Sequence, residues 1–153
     1  MIVILRNLIA GLAMLAAAPL ARAQTAIDGD TVDYKGVVVH LWGIDAPENG
    51  QVCTDGWEAG QESRAALARL LRAGSVECRL QGGDSSGHVA AVCTAAGKDL
   101  AAVMVRTGMA WAQVRETEAY VVQEAEAMSA VRGVHAHSCE KAWEWRAKHD
   151  KKH

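Results

Sequence analysis

Two short acidic motifs constrain this chain more than any other feature. Ile27-Asp28-Gly29-Asp30-Thr31 is followed, across one predicted hairpin, by Gly43-Ile44-Asp45-Ala46-Pro47-Glu48. Asp28-Gly29 reads as a tight turn, and Thr31-Val32 begins a strand. Pro47 stops the next strand just past Asp45, because proline offers the ladder no N–H. Asp30, Asp45 and Glu48 are therefore expected at the ends of two strands. Carboxylate oxygens so placed suit a hard divalent cation, and a further carboxylate beside the ion can take the proton of an attacking water. A single Asp-Gly-Asp would be an ordinary loop-end cluster; with both motifs in this order, a site is the better reading.

At 153 residues the chain suffices for one domain with its own core. Residues 1–23 differ from the rest. Arg6 precedes the uncharged apolar run Leu8–Leu20, and Ala21-Arg22-Ala23 fits a small-x-small cleavage site. The run is short for a membrane span. The expectation is a signal peptide cleaved after Ala23, a periplasmic or secreted protein, and no membrane span in the mature chain. Residues 24–146 would form the domain, monomeric, and 147–153 a disordered tail.

Loss of Arg6 and Arg22 with the leader leaves 14 basic against 18 acidic residues, a net charge of about −4. Strong nucleic-acid binders carry a basic footprint, since released counterions drive phosphate binding. Here only Lys148, Lys151 and Lys152 cluster, so any phosphate site must be positive locally. The four cysteines, Cys53, Cys78, Cys93 and Cys139, all lie in the exported part. An even count in an oxidising compartment suggests two disulfides, with three connectivities open. Zinc is disfavoured because no Cys-x-x-Cys spacing occurs.

Strands are predicted at Thr31–Tyr34, Val37–Ile44, Val76–Leu80 and Val89–Thr94. Helices are predicted at Trp57–Leu71, with Ala65, Ala66, Leu67, Leu70 and Leu71 available for a buried stripe, and at Glu118–Arg132. Asp99 could cap a short helix ending at Thr107-Gly108. Short strands around one helix, then more helices, point to an α+β fold: a small barrel with a helical flank.

In order, spacing and flanking residues, the acidic motifs resemble the staphylococcal nuclease (thermonuclease) family, whose members hydrolyse DNA and RNA phosphodiesters with calcium. The likeness covers nearly all of Ala26–Arg146. It continues through Val105-Arg106-Thr107-Gly108-Met109-Ala110 and Trp143-Glu144-Trp145-Arg146, and it is to the exported bacterial branch, whose members often carry extra cysteines. The resemblance implies a five-stranded OB-type barrel with three helices. It implies Ca²⁺ held by Asp30, Asp45 and the carbonyl of Ala46, with Glu48 as base, and single-stranded nucleic acid or a nucleotide as partner. Only Gln24–Ile27 precede Asp28 after the expected cleavage, so the first strand must be very short here or cleavage must occur earlier.

Two departures fall on the phosphate clamp. The family has an arginine five residues before the Asp of its Asp-x-Pro-Glu motif; this chain has His40. The family's Asp-x-Tyr-Gly-Arg loop corresponds to Asp84-Ser85-Ser86-Gly87-His88. A guanidinium is always charged and offers a bidentate fork, whereas imidazole donates at most two bonds and has an unperturbed pKa of about 6.5. Losing one preorganised donor commonly lowers a rate by about 10²–10³. His40 and His88 are candidate catalytic residues on three readings: relics of relaxed selection with nuclease activity low, altered or lost; part of a repurposed site for Zn²⁺, Mn²⁺ or Cu²⁺; or members of a still competent nuclease. A non-catalytic metal- or ligand-binding module on the same fold is the rival to any enzyme.

For the disulfides, Cys78 and Cys93 are expected to pair because their strands are predicted neighbours, which leaves Cys53 for Cys139. Many relatives have a partner for Cys53 in a Trp-x-Cys-Gly segment, which here is Trp57-Glu58-Ala59-Gly60. Trp143 and Trp145 read as anchors of the C-terminal segment before a base-stacking platform, Trp42 and Trp111 as core, and His135 and His137 as solvated surface. Arg106 and Arg115 are the arginines left to reach the site in space.

Overall fold

The structure, a computed structural model, describes residues 24–83 and 88–149. The expected signal peptide, loop residues 84–87 and the tail from 150 onward lie outside the described residues. In chain order the elements are β1 (Thr25–Ala26), β2 (Thr31–Tyr34), β3 (Val37–Leu41), β4 (Ile44–Asp45), α1 (Ala59–Leu71), β5 (Val76–Gly83), β6 (Val89–Ala95), β7 (Lys98–Asp99), α2 (Leu100–Arg106), β8 (Trp111–Ala112), α3 (Val121–Ser129), a 3₁₀ turn (Gly133–His135) and α4 (Ala142–His149).

Local chemistry accounts for the hairpins. Lys35 and Gly36 both have positive φ, 56° and 87°, as a type I′ turn requires, and Tyr34 pairs with Val37 across it. Asp33 secures the turn by accepting from Gly36 N–H at 2.7 Å. Ala96-Gly97 repeats the device between β6 and β7. The predicted strand Val37–Ile44 is interrupted at Trp42-Gly43, where Gly43 takes φ +80° and lets β4 leave the main sheet to pair with β8.

The main sheet runs β1-β2-β3-β6-β5, with β7 added on β6. Pairings are antiparallel except for β3 with β6, where His40 and Leu41 lie parallel to Ala90 and Ala91. This is the strand order of the expected five-stranded OB barrel, and the chain is α+β. Among the described residues the first strand is two residues long.

Helix content differs from expectation. Four α-helices are present among the described residues rather than three, and α3 is shorter at both ends than Glu118–Arg132. Residues 147–149, expected to begin a tail, continue α4. This helix has a single buried residue, Ala142, so it lacks the apolar stripe by which helices are read from sequence. Helix α1 starts at Ala59 rather than Trp57 and buries Ala59, Gly60, Ser63, Leu67 and Leu71, leaving Ala65 exposed. Small residues lead because the site loop crosses its first turn: a Cβ on Gly60 would fall 1.8 Å from the Glu48 carbonyl oxygen. Ser63 is held by donating to the Met109 carbonyl at 2.6 Å. Asp99 caps α2 as expected, accepting from Ala102 N–H at 3.2 Å.

The main core packs Val32, Val39, Leu41, Ala91 and Cys93 of the sheet with Leu67 and Leu71 of α1 and Leu100, Met104 and Val105 of α2. A second cluster joins Trp111, Val134 and Ala142, with Trp57, Cys139 and Trp143 at its edge. Trp111 is core as expected, Trp42 is only part-buried, and Trp143 meets Trp111 edge-on at 6.3 Å, anchoring the C-terminal segment.

Both expected disulfides form, Cys78–Cys93 across facing residues of β5 and β6, and Cys53–Cys139 between the loop before α1 and the segment before α4. They close chain separations of 15 and 86 residues. Loop-closure entropy grows with the logarithm of that length, so the long link contributes more, by roughly 1.5 kcal/mol. Urea unfolding of the Cys53→Ser/Cys139→Ser and Cys78→Ser/Cys93→Ser variants is expected to show the larger loss in the first. Equal losses, or the reverse order, would contradict it.

Candidate functional site

One cleft of about 230 Å³ collects the acidic motifs and both histidines. Asp28, Asp30, His40, Ile44, Asp45, Glu48, His88, Gln113, Glu116 and Arg146 line it. Asp28 and Asp30 come from the turn between β1 and β2, and Asp45 from the end of β4. Glu48 follows Pro47 in the loop toward α1.

Backbone pairing sets the positions. The parallel ladder puts His40 opposite Ala90, so His88, two residues before Ala90, reaches the same face. The two imidazoles stack at 4.6 Å with 16° between their planes. The β4–β8 ladder pairs Asp45 with Trp111 and carries Gln113 and Glu116 to the cleft beyond it. Glu116 accepts from Gly43 N–H at 3.1 Å, and Gln113 N–H donates to the Gly43 carbonyl at 2.8 Å.

Asp30 accepts from Ala46 N–H at 2.6 Å and from the Thr31 hydroxyl at 3.0 Å, so the two motifs are joined through one carboxylate. Desolvation raises its carboxyl well above the usual range. The negative charge of Asp28 and a hydrogen bond with it act in the same sense, as does Asp45, against the lowering effect of the Ala46 N–H.

The counter-charge to Asp45 and Glu48 is Arg146 of α4. Its guanidinium holds both Asp45 oxygens, Nη1 to Oδ1 at 2.9 Å and Nη2 to Oδ2 at 2.7 Å, while Nη1 also donates to Glu48 Oε1 at 2.5 Å. The Asp45 side chain is 7% exposed and that of Arg146 37%. These carboxylates, Asp45 first, hold the guanidinium proton more firmly than usual. Arg146 was not singled out as a site residue from the sequence; the one signal for it was the Trp143-Glu144-Trp145-Arg146 segment of the family likeness. Neither arginine considered instead is in the cleft lining: Arg106 pairs with Glu126 at 2.7 Å, and Arg115 is exposed.

Helix α4 is tied to the same loop that carries Glu48. Gln51, 1% exposed, accepts from Glu48 N–H at 3.2 Å and donates to the Glu140 carbonyl at 2.6 Å. Cys53–Cys139 lies beside it, and Thr54 N–H and hydroxyl both reach the Ser138 carbonyl at 3.1 Å. His137 stacks on Trp57 and pairs with Asp55 at 2.8 Å, and His135 is part-buried with Nε2 enclosed, so neither is the solvated surface residue expected.

This arrangement does not fit a calcium ion as it stands. Ca²⁺ takes six to eight oxygen ligands, yet both Asp45 oxygens and one of Glu48 are engaged by Arg146. Among the described residues no three His, Cys, Asp or Glu side chains converge on a metal position. Asp30, Asp45 and Ala46 are adjacent, with the Ala46 N–H turned to Asp30.

The shifted Asp30 makes stability pH-dependent. The folded state keeps its proton to higher pH than the unfolded chain, whose carboxyl titrates near about 3.9. Stability therefore falls as pH rises from there through the raised folded value and stays lowered above it. Asp30→Asn is expected to melt above the parent at pH 7 in EDTA, the gap closing below about pH 3.9. Identical melting of the two at every pH would refute the assignment.

Comparison with known proteins agrees with the geometry. Residues 38–137 match the family model described as staphylococcal nuclease homologue, a span that includes His40, Asp45, Glu48 and His88 and leaves Asp30 and Arg146 outside. The chain is 37% identical over 101 residues to succinoglycan biosynthesis protein ExoI of Rhizobium meliloti (strain 1021), covering 62% of this chain and 53% of that one. The chain thus spans about half the length of this curated relative. Among the described residues no helix is long and apolar enough to cross a membrane. Members of the matched family are calcium-dependent and bind nucleic acids, and this chain belongs to that family of staphylococcal nuclease homologues.

Proposed function

We propose that this protein is an exported, periplasmic or secreted, nuclease-family domain whose phosphodiester hydrolysis is low, altered or lost. The observation that carries the reading is the stacked pair His40 and His88 at the family's two arginine positions. Hydrolysis of a phosphodiester gathers negative charge on the non-bridging oxygens, and guanidinium forks answer it with paired, charge-assisted bonds. Two rings stacked face to face present no such fork. Glu48, the candidate base, is engaged by Arg146 at 2.5 Å, which occupies one of the oxygens that would have to face an attacking water. What remains is an acidic cleft that can orient a cationic or hydrogen-bonding group.

A second reading, a non-catalytic module that binds an envelope component, is supported by the similarity to a protein named for succinoglycan biosynthesis. The two readings separate in one assay. Cleavage of single-stranded DNA and of a simple phosphodiester is measured with Ca²⁺, Mn²⁺ and Zn²⁺ in turn, with Glu48→Gln as control. Near-background calcium-dependent activity is expected for the parent at pH 7. His40→Arg with His88→Arg is expected to raise it by about 10²-fold or more if the acidic half still serves catalysis. No gain in any metal would favour the binding module. Robust calcium-dependent cleavage by the unmodified protein would overturn the reading of the two histidines.

A further inference from the structure

We propose that Arg146 is a built-in competitor for divalent cations at the acidic cleft, a guanidinium that must leave Asp45 and Glu48 before an ion can use them. This rests on the cleft being the functional site and adds how the site is controlled. A single nitrogen, Nη1, lies 2.9 Å from Asp45 Oδ1 and 2.5 Å from Glu48 Oε1, bridging the two carboxylates as a shared cation would. The second nitrogen takes the other Asp45 oxygen at 2.7 Å. With its side chain only 7% exposed, Asp45 has little room to serve a guanidinium and an ion together.

The competitor is delivered by a fixed arm. Gln51 and Cys53 of the Glu48 loop are bonded to Glu140 and Cys139, so α4 begins at a set distance from the carboxylates that Arg146 closes. Beyond that anchor the helix buries only Ala142, and the Arg146 side chain is 37% exposed. The guanidinium can therefore swing out while the anchor holds. If a cation binds only the open arrangement, its apparent affinity is reduced by the fraction of time Arg146 is away, and by linkage the bound ion holds Arg146 out. A plain staple predicts something else: loss of Arg146 would lower stability and leave ion affinity unimproved.

The test is calorimetric titration of Ca²⁺, then Mn²⁺, into the disulfide-bonded protein and its variants, with thermal melting alongside. Arg146→Gln is expected to bind Ca²⁺ at least about tenfold more tightly than the parent, and Arg146→Lys, charged but without the fork, to fall between. Adding Asp45→Asn to Arg146→Gln should erase the gain. Should the glutamine variant fail to fold, the lysine variant decides in the same direction. A folded variant binding Ca²⁺ no more tightly than the parent overturns the proposal. Titration and cleavage fail separately: DNA hydrolysis by the parent would overturn the reading of His40 and His88 and leave the affinities standing, whereas equal affinities would leave the cleavage result untouched.

Discussion

Parallel pairing of β3 with β6 is the contact on which this fold turns. It joins the hairpin of β2 and β3, which carries His40, to the hairpin of β5 and β6, which places His88, and among the pairings of the described residues it alone is parallel. A parallel pair needs a long crossover, and the crossover here contains α1 and β5. That connection lays Leu67 and Leu71 against the sheet and Gly60 against the Glu48 carbonyl. The same register brings His40 and His88 into stacking contact, although 47 residues separate them in the chain.

A second closure works through the C-terminal segment. Gln51 is almost fully buried yet has its amide satisfied on both sides, by Glu48 N–H and the Glu140 carbonyl. Buried polar groups persist when partnered and specify one arrangement when they are. Together with Cys53–Cys139 and the Trp111–Trp143 contact, this bridge converts a weakly amphipathic helix into a defined arm. Its cation then enters a cluster of carboxylates that repel one another, which explains why Arg146 rather than a solvent-facing lysine faces Asp45.

The acidic side and the histidine side of the cleft thus differ in character. Asp30 ties the two acidic motifs by accepting from Ala46 N–H. His40 and His88 stack as imidazoles on one side, and the Arg146 guanidinium reaches the carboxylates from α4 on the other.

The motifs around Asp30, Asp45 and Glu48, the hairpin at Lys35-Gly36, the cap at Asp99 and both cysteine pairings were legible in the chain, because each rests on local chemistry or on neighbouring strands. His40 and His88 were singled out only against a family pattern, and the structure brings both to the cleft. Helix α4 and Arg146 were not: the helix has no apolar period, and an arginine 101 residues from Asp45 carries no mark of its partner. The buried stripe of α1 was misplaced for a related reason, since the close approach of the Glu48 loop selects Gly60 and Ser63 where hydrophobicity alone favours Ala65. Short-range patterns record what neighbouring residues prefer, whereas an ion pair across the fold exists only once packing has removed its members from water and set them face to face.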